Sequence, residues 1–413
     1  MSAVITSAGC AMFPDSARSV LLVITYTLNP FRMLDVGALR RQPHHLRLTA
    51  LVDQRLEQAF APYESLFDYV YYLDVEYTNH CFVEAFSDAA TDAVARELTI
   101  CRGLKLLSFF EGDIEATAKL RDSFDLPGMG SNEARRFRDK LTMKQQVSAH
   151  HHDVPRALKL DWALPAEATF SRCVSELGIP FVIKPIALGG SLGVTRVASF
   201  EQFEGCRHRH LDAAYMAEEE ITGDLLHLDM VVNQGNPSWF GCSQYNLTTL
   251  AFAQGRPVGS MPLLPDDPSY CALRDYASDI RRSLSVHDGI VHIEVFRRND
   301  KIYFIEAAAR ASGGLATLVY HKMFGYNMIQ AMTDYQVGLA YEPRCPDGLA
   351  YFWLLLPDGV DVRPRLLDLE IQYELFPPGD GAQIPGSLIG QHARIIAWHE
   401  DPAYLHNAFM AIA

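Results

Sequence analysis

Positive charge is scarce in this chain of 413 residues: 36 Lys and Arg stand against 50 Asp and Glu, a formal net charge of −14 at pH 7. Neutralising nucleic-acid phosphates or an anionic membrane takes clustered cations, so the balance disfavours both partners while leaving room for a local basic pocket. Long apolar runs are missing too. The run at 20–24 with its flanks falls far short of the roughly 20 residues that a membrane span needs, and no charged segment with a small-residue cleavage site marks a signal peptide. The eight cysteines, at 10, 81, 101, 173, 206, 242, 271 and 345, form no CxxC pair and no regular framework. That scatter reads as reduced, mostly buried thiols and leads us to expect a cytoplasmic protein. Internal repeats and low-complexity tracts are absent as well.

What is present suits a globular enzyme: 49% of the residues are apolar and 21% charged, over a length that suggests two or three packed domains. After a loosely attached leader at 1–17, residues 19–26 (SVLLVITY) form a continuous β-branched run, the pattern of a parallel strand buried on both faces. Residues 69–73 and 104–110 repeat it, with helix-like stretches such as 89–98 between, which predicts an open α/β domain ending near Pro127-Gly128. A single helix is predicted over 131–152, capped by Ser131, Asn132 and Glu133 and stopped by Pro155. Then come a helix at 170–177, a strand at 181–184, a glycine-rich loop at 185–193 and a strand at 194–197. A β-rich region from 215 to 306, a helix over 315–339 and an α/β tail from 348 complete the reading.

The most informative residues are Glu294 and Glu306. They lie in IVHIEVFRRNDKIYFIEAAARASGG, residues 290–314, where alternating apolar runs flank a polar turn. With Asn299-Asp300-Lys301 as that turn, Ile302 pairs with Arg298, Phe304 with Phe296, and Glu306 with Glu294. Opposed Cβ atoms then sit roughly 5 Å apart, where like charges repel, so a divalent cation between hard oxygens is the natural compensation. Arg310 adds positive charge beside them. Two solvated carboxylates on an exposed face is the competing reading.

Upstream, FVIKPIALGGSLGV (181–194) places Lys184 at a strand end, just before Gly189, Gly190, Ser191 and Gly193. Backbone amides of such a loop can cradle an anion, although the Walker order is absent and a glycine-rich turn suits the pattern equally. Lys140 sits in a helical RDKLTMK segment, where an ordinary solvated lysine is the plainer reading. In YMAEEEITGDLLHLD (215–229) the acidic triplet suits a surface turn, or a hinge whose backbone reads an adenine edge while Asp224 takes ribose hydroxyls.

Taken in order over about 125–335, these pieces resemble the ATP-grasp superfamily of carboxylate–amine ligases. The resemblance implies an α/β (α+β) ATP-grasp fold: an N-terminal open α/β domain (1–130), a small lid domain (131–220) and a larger C-terminal antiparallel-sheet domain (221–413), with nucleotide between the last two. It implies that Lys140 and Lys184 contact ATP phosphates and that Gly189, Gly190, Ser191 and Gly193 cover the β- and γ-phosphates. Glu218, Glu219 and Ile221 would line the adenine pocket and Asp224 would bind ribose. Glu294 and Glu306 would hold Mg²⁺ or Mn²⁺, and Arg310 would steady an acyl phosphate. Catalysis would rest on Arg310 and Lys184, the substrates would be amino acids or similar small molecules, and a homodimer is the family expectation.

One departure stands out: Ala308 replaces the Asn that in much of the superfamily adds a metal ligand after the second glutamate. The L-amino acid ligase (dipeptide synthetase) branch tolerates a small residue there, and GDLLHLD (223–229) is similar to that branch's GExYHVD strand. These favour an enzyme that activates one amino acid and joins it to the amine of another. A ligase or carboxylase using bicarbonate or another small acid and amine, and a nucleotide-binding protein without turnover, are the alternatives. Other groups read as structural: the triplet His150-His151-His152 as a solvated helix end, CRHRH (206–210) as a basic surface loop, and Trp239, Tyr245 and Tyr270 as core. His292 shares a strand face with Glu294, so a role in the site stays open for it.

Overall fold

The computed structural model describes residues 18–41, 46–208, 213–378, 387–388 and 392–412. The leader at 1–17, with Cys10, and the end of the CRHRH stretch at 209–210 lie outside the described residues.

A parallel four-stranded sheet comes first, made of β1 (Arg18–Ile24), β2 (Leu46–Asp53), β3 (Tyr69–Leu73) and β4 (Leu104–Ser108) in the order β3-β2-β1-β4. Strand β2 escaped the sequence reading. Val20, Leu22 and Ile24 face one core, and Leu21 and Val23 the other, as a doubly covered strand requires.

A small antiparallel sheet follows: β5 (Ala157–Lys159), β6 (Phe181–Pro185), β7 (Thr195–Val197) and β8 (Tyr215–Glu219), ordered β5-β8-β6-β7. Its core is closed by Cys173 and Leu177 of the helix Ala166–Leu177 and by Phe203 of the helix Phe200–His208.

The third sheet is antiparallel. It contains β9 (Asp224–Asn233), β10 (Asn236–Tyr245), β11 (Val258–Pro262), β12 (Gly289–Arg298), β13 (Lys301–Ala308), β14 (Ala350–Leu356), β15 (Gln372–Phe376) and β16 (Ala393–His399), ordered β13-β12-β9-β10-β11-β14-β16-β15. The tail thus extends the sheet that carries the two glutamates. The stretch 215–306 is not purely β: Tyr270–Ser283 is a helix whose Leu273, Ala277 and Ile280 recur on one face and pack on this sheet.

Two long predicted helices are each broken. Instead of one helix over 131–152 there are two, Ser131–Arg136 and Lys140–Ala149. Asp139 leaves the helical region (φ −86°, ψ 100°) and its Oδ1 accepts from Thr142 N at 2.9 Å, an N-cap inside the apparent periodicity. Phe137, Met143 and Val147 of this pair pack on the large sheet. Likewise 315–339 divides into Ala316–Phe324 and Met328–Gln336. Gly325 sits at φ +69°, where a Cβ would stand 1.8 Å from Arg344 O, and Asn327 Oδ1 caps the second helix through Ile329 N and Gln330 N.

Candidate active site

The hairpin β12–β13 turns on two residues, Asn299 and Asp300, with Arg298 opposite Lys301 and Val295 opposite Phe304. That register alone would place Ile305 across from Glu294. A bulge between Glu294 and Val295 shifts the pairing by one residue, and Glu294 faces Glu306 after all. The expected opposition holds, but a two-residue turn plus a bulge produces it, not a three-residue turn.

Both carboxylates open into a cavity of about 200 Å³ between the small and large sheets. Lys140, Lys184, Gly189, Ser191, Glu218, Glu219 and Ile221 line the same cavity, so most of the residues singled out from the sequence converge there. Gly190, Gly193, Asp224 and Arg310 do not line it. The Gly190 carbonyl accepts from Ser387 Oγ at 2.8 Å and Leu388 N at 3.0 Å, while Gly193 lies against Pro185 and Tyr215. Asp224 faces away, half exposed, with Arg297 Nη2 3.0 Å from its carboxylate. This corrects the expectation that Asp224 shares the pocket with the hinge residues: alternation along β9 turns it outward while its neighbour Leu225 lines the cavity.

The cavity floor is a network of buried charges. Lys184 Nζ stands 2.9 Å from Glu218 Oε1 and Lys144 Nζ 2.7 Å from Glu218 Oε2, all three residues nearly fully buried. Burial pushes the Lys144 ammonium down to about 8 even with Glu218 beside it. For Lys184, burial also lowers the pKa, but Glu218 and Glu306 more than offset it and hold it above its ordinary value. Burial would raise Glu218, and the two lysines pull it below the usual carboxylate range. Lys140 Nζ lies 3.3 Å from Glu306 Oε2, and Glu306 too is held low against its burial, by Lys140 and Lys184. Glu218, expected only to line an adenine pocket, is therefore also the shared counter-ion of two lysines.

A second network joins the N-terminal sheet to the site. Glu111, just beyond β4, accepts from Arg310 Nε at 2.7 Å and from Arg138, which also donates to Ala187 O in the glycine-rich loop. Burial opposes ionisation of Glu111, but Arg310, Arg138 and Lys140 hold its carboxyl down at about 2. A Cβ on Gly189 would stand 3.1 Å from Glu111 Oε1, so the loop packs directly on this carboxylate. Leu188 and Leu192 of the loop pack against Tyr26 and Phe82 of the N-terminal region.

Behind Glu294 runs a buried polar chain. Tyr245 Oη donates to Glu294 Oε1 at 3.3 Å, and His292 Nε2 is 3.6 Å from the same oxygen. His292 Nδ1 reaches Asp229 Oδ1 at 2.9 Å; His227 Nδ1 reaches Asp229 Oδ2 at 2.6 Å, and its Nε2 reaches Ser260 Oγ at 2.7 Å. One ligand atom each from His227, Asp229 and His292 falls within 4.8 Å of the others. Three of the four ring nitrogens are taken up by Asp229 and Ser260, and the fourth, His292 Nε2, is the one facing Glu294, which makes the trio a hydrogen-bonded chain. Asp229 is held well below its ordinary value, since the two imidazoles outweigh its burial. Tyr245, expected in the core, belongs to this group. Trp239 stacks on Tyr326 and Tyr270 donates to Phe240 O, as core residues do.

Glu111, Arg138, Lys144, Tyr245 and His227 are the site residues that sequence reasoning missed. Two left a signal: Lys144 lies four positions after Lys140 on the same helix face, and Glu111 follows the carboxyl end of a parallel strand, where open α/β sheets gather ligands.

Glu294 and Glu306 offer hard oxygens on one face, beside cations able to take phosphates, and suit a divalent ion such as Mg²⁺; Ala308 adds no donor.

Residues 177–319 match the ATP-grasp domain family. The L-arginine-specific L-amino acid ligase of Bacillus subtilis is 22% identical over 286 residues, covering 63% of this chain and 68% of that protein. An alanine–anticapsin ligase of the same species is 23% identical over 249 residues, covering 54% of this chain and 51% of that protein. Among solved structures, an L-amino acid ligase from Bacillus licheniformis superposes with a TM-score of 0.69 at 16% identity, covering 96% of both chains. An N5-carboxyaminoimidazole synthetase from Staphylococcus aureus complexed with ADP reaches 0.66 at 13% identity, covering 97% of this chain and 99% of that one. Residues 177–319 thus carry an ATP-grasp domain, and the proteins that the chain resembles are ligases and synthetases. Within that class, the two sequence relatives named here are amino acid ligases of Bacillus.

Proposed function

We propose that the protein is an ADP-forming ligase that joins the carboxylate of one amino acid to the amine of another. A carboxylate oxygen of the first attacks the γ-phosphorus of ATP, ADP leaves, and an acyl phosphate forms. The amine nitrogen of the second then attacks the acyl carbon; phosphate leaves, the nitrogen loses a proton, and an amide remains. The observation that carries this reading is the convergence in one cavity of two lysines, a glycine-rich loop and two facing carboxylates.

In this reading Lys140 and Lys184 bind phosphate oxygens, and amides of the loop at 189–193 cover the terminal phosphates. Glu219 and Ile221 line the adenine end, and Glu294 and Glu306 hold the metal. A Mg²⁺ or Mn²⁺ there would neutralise phosphate charge as the phosphoryl group moves. Arg310, held by Glu111 just outside the cavity lining but near enough to Glu294 and Glu306 to interact with their charges, would steady the acyl phosphate and its tetrahedral successor electrostatically. The small sheet and its helices, residues 157–219, would act as the lid over the nucleotide, while the helices expected with them at 131–149 pack on the large sheet. Among the described residues no helix is long and apolar enough to cross a membrane. The reading is tested by incubating the protein with ATP, Mg²⁺ and pairs of amino acids and weighing the products. A dipeptide mass appearing with ADP supports it; ADP formation that depends on bicarbonate, with no amine added, contradicts it.

A further inference from the structure

Lys144 is a buried cation that the proposed chemistry does not use. It stands one helical turn beyond Lys140, does not line the cavity, and is 3% exposed. Its ammonium is anchored at three points: Ile305 O at 2.8 Å, Phe304 O at 3.4 Å, and Glu218 Oε2 at 2.7 Å. The two carbonyls belong to β13, immediately before Glu306. Lys184 is held differently, by Glu218 Oε1 at 2.9 Å, and it does line the cavity.

Two lysines thus share one carboxylate. If Lys184 were the sole partner of Glu218, any move of its ammonium toward a phosphate would strip a buried carboxylate of its counter-ion, which is strongly unfavourable. With Lys144 fixed on the other oxygen, Glu218 stays paired whichever way Lys184 turns. The surplus positive charge of the trio then faces the cavity, where a phosphate offsets it.

We propose that Lys144 is a positioning residue for nucleotide binding: by keeping Glu218 paired, it releases Lys184 to the phosphates of ATP. The inference rests on the reading of this cavity as a nucleotide site.

The test is equilibrium binding of ATP, in the absence of amino acids, to the full chain and to three variants, with thermal unfolding recorded for each. Lys144→Met leaves Glu218 to Lys184 alone and weakens ATP binding about tenfold or more. Adding Glu218→Gln to Lys144→Met removes the trap on Lys184 and restores affinity to within about threefold of wild type, even where the melting temperature stays low. A packing role alone would give a double variant no better than the single one. Glu218→Gln by itself, which serves if Lys144→Met does not fold, binds ATP at least as tightly as wild type. Wild-type affinity in Lys144→Met, no recovery in the double variant, or a tenfold loss in Glu218→Gln overturns the inference while the nucleotide site stands. A wild-type protein that does not bind ATP removes the nucleotide site itself, and this inference with it.

Discussion

Glu294 and Glu306 face each other across an antiparallel pair because β13 carries one residue more than the hairpin needs. The extra residue bends the strand at the point where two carboxylates must share one face, and bulges are frequent beside sites of this kind. At that spacing the pair is stable only beside positive charge, which Lys140 supplies at 3.3 Å and a divalent ion would supplement.

Replacing Glu306 by Gln keeps the shape but turns one acceptor oxygen into a donor and removes one metal-binding charge. ADP formation should fall about a hundredfold or more, an effect of the size seen when a group stabilising transition-state charge is lost. The melting temperature should fall as well. Lys140 and Lys184 hold the Glu306 carboxyl below its ordinary pKa and its charge therefore stabilises the fold at neutral pH, so the rate is read on folded protein. An unchanged rate would contradict the proposed metal role.

Glu218 makes a prediction about stability. Glu218→Ala leaves Lys144 and Lys184 buried without the carboxylate between them, and removing one side of such a buried arrangement costs about 3–5 kcal/mol. Urea unfolding should show the loss at neutral pH; a change within measurement error would mean that the lysines find other partners.

Particular residues show how far the sequence reached. The hydrophobic runs of β1, β3 and β4 and the strand–lysine–glycine order of 181–193 were legible because they are local patterns. The breaks at Asp139 and Gly325 were hidden: helical periodicity continues through both, and only a cap and a close approach to Arg344 O disclose them. Glu111 and Lys144 were missed for a related reason. Their meaning lies in partners 199 and 74 positions away, Arg310 and Glu218, which only the fold brings near. The outward turn of Asp224 follows from strand alternation, once the ends of β9 are known.

That outward turn gives a further prediction. Asp224→Asn should change ATP affinity by less than about threefold, since the side chain lies outside the cavity and pairs with Arg297 near the surface, where such pairs contribute little. A tenfold loss in a nucleotide titration would restore the ribose-binding role.

The Glu111 carboxyl fixes the sign of a pH effect. Its folded value, about 2, is below the ordinary 4.5, so the carboxylate contributes stability that is present above about pH 4.5 and is lost as pH falls toward 2. Glu111→Gln should therefore be less stable than wild type at neutral pH, and the two curves should converge between about pH 4.5 and 2. A stability difference independent of pH across that window would show that the carboxylate charge is not what joins Arg138 and Arg310.

The central claim is that a substrate carboxylate attacks ATP in the cavity between Lys184 and the two glutamates. It is tested most directly with the amino acid found in the product screen, labelled with ¹⁸O in its carboxylate and supplied with ATP, Mg²⁺ and the second amino acid. Mass analysis of the released phosphate should show one ¹⁸O per phosphate formed, carried over through the acyl phosphate. Amide product accompanied by unlabelled phosphate would contradict the account.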